Sequence, residues 1–300
     1  MLGFKSAKPI AEHEASGEIE RVYHEIKQTL RVTGVNLNFR TWAAFGDFLP
    51  LIWDTLRPSI ETMAFEAAAD RVREEAAEHA ESLGPLDVPA QEVLGESQLY
   101  QLRGSLDLYH YINPKLLVVS SATAMLLRGE EIGSATSLPP ERVALGAPSN
   151  MLDLEMEDED CDDLHIETIF ADIKDRLSLP SVNSDYRTLA LWPDYLSLAW
   201  RRLKPLAQSS AYGVATDQLR EASRRLAREL PYKVSIVPSS ISDAGVDLEK
   251  VIEKTDSFER LLPGLIINIA LLQLDWRQGS ELNTSPFTAQ LRETQSGEQA

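Results

Sequence analysis

The stretch VNLNFRTWAAFGDFLPLIWDTLRP at residues 35–58 returns, without a gap, as VNSDYRTLALWPDYLSLAWRRLKP at residues 182–205, a spacing of 147 positions. A repeat of this length means two copies of one structural unit, and it governs how the rest of the chain is read. It extends in both directions. EIERVYHEIKQTL (18–30) aligns with HIETIFADIKDRL (165–177), and Ala64, Ala68, Asp70, Arg73 and Glu74 match Ala211, Ala215, Asp217, Arg220 and Glu221. From Gly17 to Ala76 about a third of the positions are identical. A weaker echo, at a slightly different offset, links YINPKLLVV (111–119) to IINIALLQL (266–274).

The pattern is mostly helical. Ile19, Val22, Tyr23, Ile26 and Leu30 fall on one face after a capping Ser16. Asp47 can cap the next helix, and Asp194 repeats that role in the second copy. Pro58 and Pro205 break or kink each long segment at the same point. MAFEAAADRVREEAAEHAESLG runs as a helix stopped near Gly84. NPKLLVVSSATAMLLRG is expected to start a helix, with Asn113 as cap and Pro114 at its first position. LLVVSS and KVSIV are the best strand candidates, and neither alternates cleanly. These boundaries divide the chain into a first repeat (1–128), a Pro/Gly and acidic linker (129–163), a second repeat (164–288) and a flexible tail (289–300). The acidic run DLEMEDEDCDD (153–163) reads as a solvated spacer, because like charges repel and rarely pack.

The formal net charge of -18 argues against nucleic acid and against an anionic membrane. One cysteine, Cys161, allows no internal disulfide and suits a reducing cytoplasm. The stretch MLGFKSAKPIAEHEASGE lacks the apolar core of a signal peptide, and no run is long and apolar enough to span a bilayer. There is no phosphate-binding glycine loop, no Gly-x-Ser-x-Gly elbow and no His-Glu-x-x-His. The acidic run lacks calcium-loop spacing. A metal site on that run stays the lesser alternative, and if the chain is an enzyme its chemistry rests on carboxylates, amides and hydroxyls.

The copies differ where chemistry would need them to. Asn38 faces Asp185, Glu66 faces Gly213, Thr62 faces Ser209, and the echo sets Asn113 against Asn268. Thr62 and Glu66, four apart, share a helix face. Two-fold pairing of the halves would place one site, with one carboxylate from the second half, at their junction, where small-ligand clefts are common. Taken alone, the same residues have plainer readings. Asp185 is a first-turn residue after a Ser184 cap, Asn113 an ordinary cap, and Thr62 and Glu66 a solvated face.

The strings SGEIE (16–20), TLRV (29–32), FLPLIW (48–53), INPKLL (112–117), SDY followed by LWP (184–193) and TSPF (284–287) make the chain resemble the group I 2-haloacid dehalogenases, the DL-2-haloacid dehalogenase family, over essentially its whole length. The resemblance implies an all-α fold of two tandem helical repeats packed as a pseudo-two-fold dimer within one chain. It implies hydrolysis of short 2-haloalkanoic acids, D and L, to 2-hydroxy acids without a metal or organic cofactor. The family's catalytic Asp falls on Asp185 and its essential Asn on Asn113; a Thr and a Glu required in another branch fall on Thr62 and Glu66. Ser184 matches too. The implied mechanism is attack at C2 by an Asp185-activated water, with inversion and no ester to the enzyme. Two pocket positions held by bulky aromatics in the family fall on Gly34 and Leu37, which leaves a roomier site. Backbone N–H groups around Leu37 and Asn38 would receive the substrate carboxylate, and Phe258, Leu262 and Leu265 would back its alkyl group. The expected partner is a small 2-haloacid, and a homodimer is compatible with the sequence. The alternatives are a related hydrolase on another small acid, and a non-catalytic helical protein that binds carboxylates or assembles through its repeats.

Overall fold

Helix α1 (Gly17–Leu30) forms where the apolar stripe predicts it and buries Val22, Tyr23, Ile26 and Leu30. It ends on Arg31 in the left-handed conformation, at φ 61°. Its counterpart α7 (Leu164–Leu177) has the same length and ends on Ser178 at φ 52°. Left-handed C-caps usually fall to glycine, so two non-glycine caps 147 residues apart are a specific correspondence. The structure is a computed structural model, and it describes residues 8–135, 139–243 and 245–293.

The correspondence continues. Short helices α2 (Leu37–Trp42) and α8 (Ser184–Leu189) are equivalent, as are α3 (Phe48–Ile60) and α9 (Pro193–Ala207). Pro58 and Pro205 lie inside α3 and α9, and each helix ends two residues later. The chain restarts as α4 (Met63–Leu83) and α10 (Ser210–Arg228). Both restarts are capped alike, with the hydroxyls of Thr62 and Ser209 accepting the N–H of Phe65 and Tyr212. Between α1 and α3 the Trp53 indole donates to Glu25, and between α7 and α9 that of Trp200 donates to Asp172. Gly84 closes α4 as expected. Asp47 occupies the cap of α3 without a side-chain bond, whereas α9 is capped at Trp192, so Asp194 lies inside the helix.

The remaining helices are α5 (Ala90–Val93), α6 (Glu96–Leu126), α11 (Pro238–Asp243) and α12 (Leu248–Gln273). Helices α6 and α12 make the most extensive helix pairing in the molecule, flanked by α4 and α10. Every residue of α6 from Leu108 to Leu126 is buried. A helix buried on all sides lies at the centre and is mostly apolar, and this is why YINPKLLVV and IINIALLQL echo each other. Asn113 therefore caps nothing. It sits in the middle of α6, with Pro114 inside the helix.

Among the described residues there is no strand, only isolated bridges such as Ile132 to Val234. LLVVSS lies within α6, where burial overrides the local β-branched bias, and KVSIV contributes only that bridge. No helix among the described residues is long and apolar enough to cross a membrane.

The acidic run is not a detached spacer. Glu159 accepts from Lys174 and the Val182 N–H, as Glu12 accepts from Lys27 and the Val35 N–H. Arg187 exchanges bonds with the Glu157 backbone, as Arg40 does with that of Ile10. Both straps keep the 147-residue spacing, so part of the linker belongs to the second copy. The tail, expected from 289, is also held at its start. Ala144 N–H bonds Gln290 O, Arg292 N–H bonds Arg142 O, and the Arg292 guanidinium reaches Glu61. Residues 294–300, and 1–7 at the other end, lie outside the described residues.

Candidate active site

Asp185 is the second residue of α8, a six-residue helix capped by Asn183 rather than by Ser184. Its backbone places the carboxylate against α6, where Asn113 Nδ2 donates to Asp185 Oδ1 at 2.8 Å. Each of the two is 4% exposed. Residues 72 positions apart, named from sequence for one job, meet in the core. Among the described residues no cation acts on Asp185. Burial raises its carboxyl to about 6, opposed by the Asn113 N–H and a backbone bond. A carboxylate in this range remains ionised at neutral pH and is a better base than an exposed Asp.

The neighbouring groups are phenols and amides. Tyr109 of α6 bonds Thr188 at 2.7 Å and also engages Ser184. Asn268 of α12 donates to the Tyr186 hydroxyl and accepts from that of Tyr212, both at 2.8 Å. Proximity to Asp185 helps keep both Tyr109 and Tyr186 protonated, after burial, which dominates. A raised carboxyl alone marks nothing. Asp275 is also lifted to about 6, yet it is taken up by the N–H groups of Asp87 and Val88.

Asn38, the first copy's counterpart of Asp185, is 2% exposed, and neither side-chain polar atom has a hydrogen-bond partner among the described residues. Buried amides are nearly always paired, which sets Asn38 apart from Asn113 and Asn268. Gly34 and Leu37 are not walls of an enclosed pocket. Gly34 is exposed beside Glu12, and Leu37 is 46% exposed at the start of α2. Leu262 and Leu265 are buried on α12. Phe258, partly buried, meets the Trp42 ring edge-on at 6.4 Å. These three lie on the helix that packs against α2.

Thr62 and Glu66 are drawn to other tasks. The Thr62 hydroxyl caps α4 and donates to Ser59 O. Glu66 is neither solvated nor bonded to the Asp185 pair; it accepts from Lys115 Nζ at 2.6 Å. Lys115 is wholly buried, lies two residues beyond Asn113 on α6 and also bonds the Tyr111 hydroxyl at 2.7 Å. Burial pulls its amine down to about 8, against the pull of Glu66. Sequence reading missed Lys115, although a lone lysine in the apolar run INPKLLVV signalled a buried partner. It also missed the phenols, which no local pattern distinguishes from ordinary core, and it met Asn268 only as the echo of Asn113.

Residues 33–186 match the family model described as Halocarboxylic acid dehydrogenase DehI. The chain is 32% identical over 237 residues to a configuration-inverting 2-haloacid dehalogenase of Pseudomonas sp. (strain 113), covering 75% of each chain. It is 29% identical over 277 residues to an (R)-2-haloacid dehalogenase of Pseudomonas putida, covering 87% of this chain and 90% of that one. The solved structure of a D-2-haloacid dehalogenase mutant with D-2-CPA superposes with a TM-score of 0.81 at 26% identity, over 90% of this chain and 95% of the other. A match across half the chain, together with these relatives, places the protein in the DehI family, a family of 2-haloacid dehalogenases that act as hydrolases on carbon–halide bonds.

Proposed function

We propose that this protein hydrolyses short 2-haloalkanoic acids, of D and L configuration, to 2-hydroxy acids through a water activated by Asp185. The buried Asp185–Asn113 bond carries the reading. It leaves the second carboxylate oxygen of Asp185 for a water, and the Asn113 carbonyl oxygen to orient that water. The water oxygen forms its bond to C2 as the carbon–halogen bond breaks on the opposite side. The halide leaves with the bonding pair, the water's proton passes to Asp185, and the configuration at C2 inverts. Both relatives and geometry support inversion: a water held by one carboxylate approaches from one face. Acceptance of both enantiomers and the direct attack are the finer parts of the proposal. The unpaired amide of Asn38 is offered as a partner for the substrate's polar end, and Leu262, Leu265 and Phe258 as the apolar backing. Positioning of this kind is a large part of catalysis.

Halide release from (R)- and (S)-2-chloropropionate, with chiral analysis of the lactate, tests the activity. The expected result is release from both, each giving the opposite hydroxy acid. Release from one enantiomer narrows the substrate, and release from no 2-haloacid by folded protein overturns the reading. Because only the ionised carboxylate can accept the proton, kcat/KM should rise tenfold per pH unit below about 6 and level off above it. A profile flat from pH 4 to 8 would remove Asp185 from the role of base.

A further inference from the structure

Pro114 directly follows Asn113 in the middle of α6. It has no N–H to offer the His110 carbonyl four residues earlier. A bare carbonyl in the core is destabilising unless another donor reaches it. Arg73 of α4 reaches it. Its Nε donates to His110 O at 2.9 Å, its Nη2 to Tyr111 O at 2.6 Å, and its Nη1 to Asp70 at 2.6 Å. The guanidinium is fully buried, a demanding place for a charge with one carboxylate partner.

The second copy provides an internal comparison. Arg220 stands 147 positions after Arg73, and the echo that sets Asn113 against Asn268 puts Ile269 where Pro114 stands. Ile269 has its own N–H, so no carbonyl is freed at that position. Arg220 there stays partly exposed and bonds Asp217 of its own helix. The same arginine in the same frame turns into the core only in the copy whose central helix carries a proline at this position; the proline of α12, Pro263, lies six residues before Ile269.

We propose that Arg73 is a positioning residue for dehalogenation: by bonding the His110 carbonyl that Pro114 leaves free, and the Tyr111 carbonyl beside it, it fixes the course of α6 and so holds Asn113 on Asp185. The inference rests on the proposed role of those two residues. The planar guanidinium spans two adjacent carbonyls with parallel donors, and a lysine amine cannot reproduce that fork.

The test is a cycle on the full chain with Arg73→Lys, Pro114→Ala and the double variant, assayed on 2-chloropropionate. Arg73→Lys keeps the charge beside Asp70 and Glu66, while Pro114→Ala restores the N–H to His110 O. The expected result is a loss in kcat of roughly 10- to 100-fold for Arg73→Lys with KM nearly unchanged, since a small misplacement at a catalytic centre has effects of that order. Pro114→Ala should melt at or above the wild-type temperature yet lose kcat comparably. In the Pro114→Ala background, Arg73→Lys should add little, because the donor is no longer needed. Wild-type kcat in folded Arg73→Lys, or losses that multiply independently, would overturn the inference. If Arg73→Lys alone fails to fold, the double variant should fold; its failure as well would overturn the inference. Asp185→Asn, run alongside, separates the two ideas: its retained activity would remove the underlying reading, whereas its loss beside a fully active Arg73→Lys removes only the role of Arg73.

Discussion

Asp185→Asn is expected to fold, to be more stable than the wild type at pH 7, and to release halide at least ~10²- to 10⁴-fold more slowly, the usual contribution of a positioned base. The two effects have opposite signs for one reason. Burial raises the Asp185 carboxyl to about 6 from its ordinary 3.8. Between those values the folded chain holds a proton that the unfolded chain has lost, so stability falls as pH rises through that window and stays lower above it. An amide at 185 removes that penalty while still accepting from Asn113. The gain should be on the order of 1–3 kcal/mol, read by urea denaturation at pH 7, and should vanish below pH 4. An Asp185→Asn protein that is less stable at pH 7, or that keeps its activity, would mean the carboxylate is structural.

The largest stability effect is expected at Lys115. Its amine is wholly buried, with Glu66 at 2.6 Å and the Tyr111 ring centroid at 4.0 Å. Lys115→Met leaves the Glu66 carboxylate buried without its cation, and removing one partner of such a pair typically costs about 3–5 kcal/mol. Adding Glu66→Gln should restore most of that loss, because the buried charge is then gone from both sides. This cycle also reassigns Glu66. If the double variant recovers stability and keeps substantial halide release, Glu66 serves α6 through Lys115 rather than the reaction. If stability returns and activity does not, Glu66 has a second role at the substrate.

Much of this arrangement was legible in the sequence, and the misses have physical causes. The repeat read from residues 35–58 and 182–205 marked the paired helices, because apolar spacing and caps are local properties. The exception within it, Asn38 against Asp185, led to the carboxylate that meets Asn113. Asn113 and Pro114 were misread as a helix start because an Asn-Pro pair locally favours one, and the donor that meets the carbonyl freed by this mid-helix proline is distant in sequence. That donor, Arg73, lies 37 positions from His110. Glu66 was read as a face-mate of Thr62, since its partner Lys115 lies 49 positions away. The acidic run looked like a spacer by charge alone. The 147-residue offset from Glu12 to Glu159 held the correct reading, upstream of where the repeat was first traced.

The central claim is that Asp185 delivers water to C2 without forming an ester. A single turnover of 2-chloropropionate in H₂¹⁸O, with enzyme in excess, tests it most directly. The account predicts lactate carrying ¹⁸O from the first turnover and an unlabelled Asp185 peptide. First-turnover lactate carrying ¹⁶O, with ¹⁸O appearing in the carboxylate of Asp185, would contradict it.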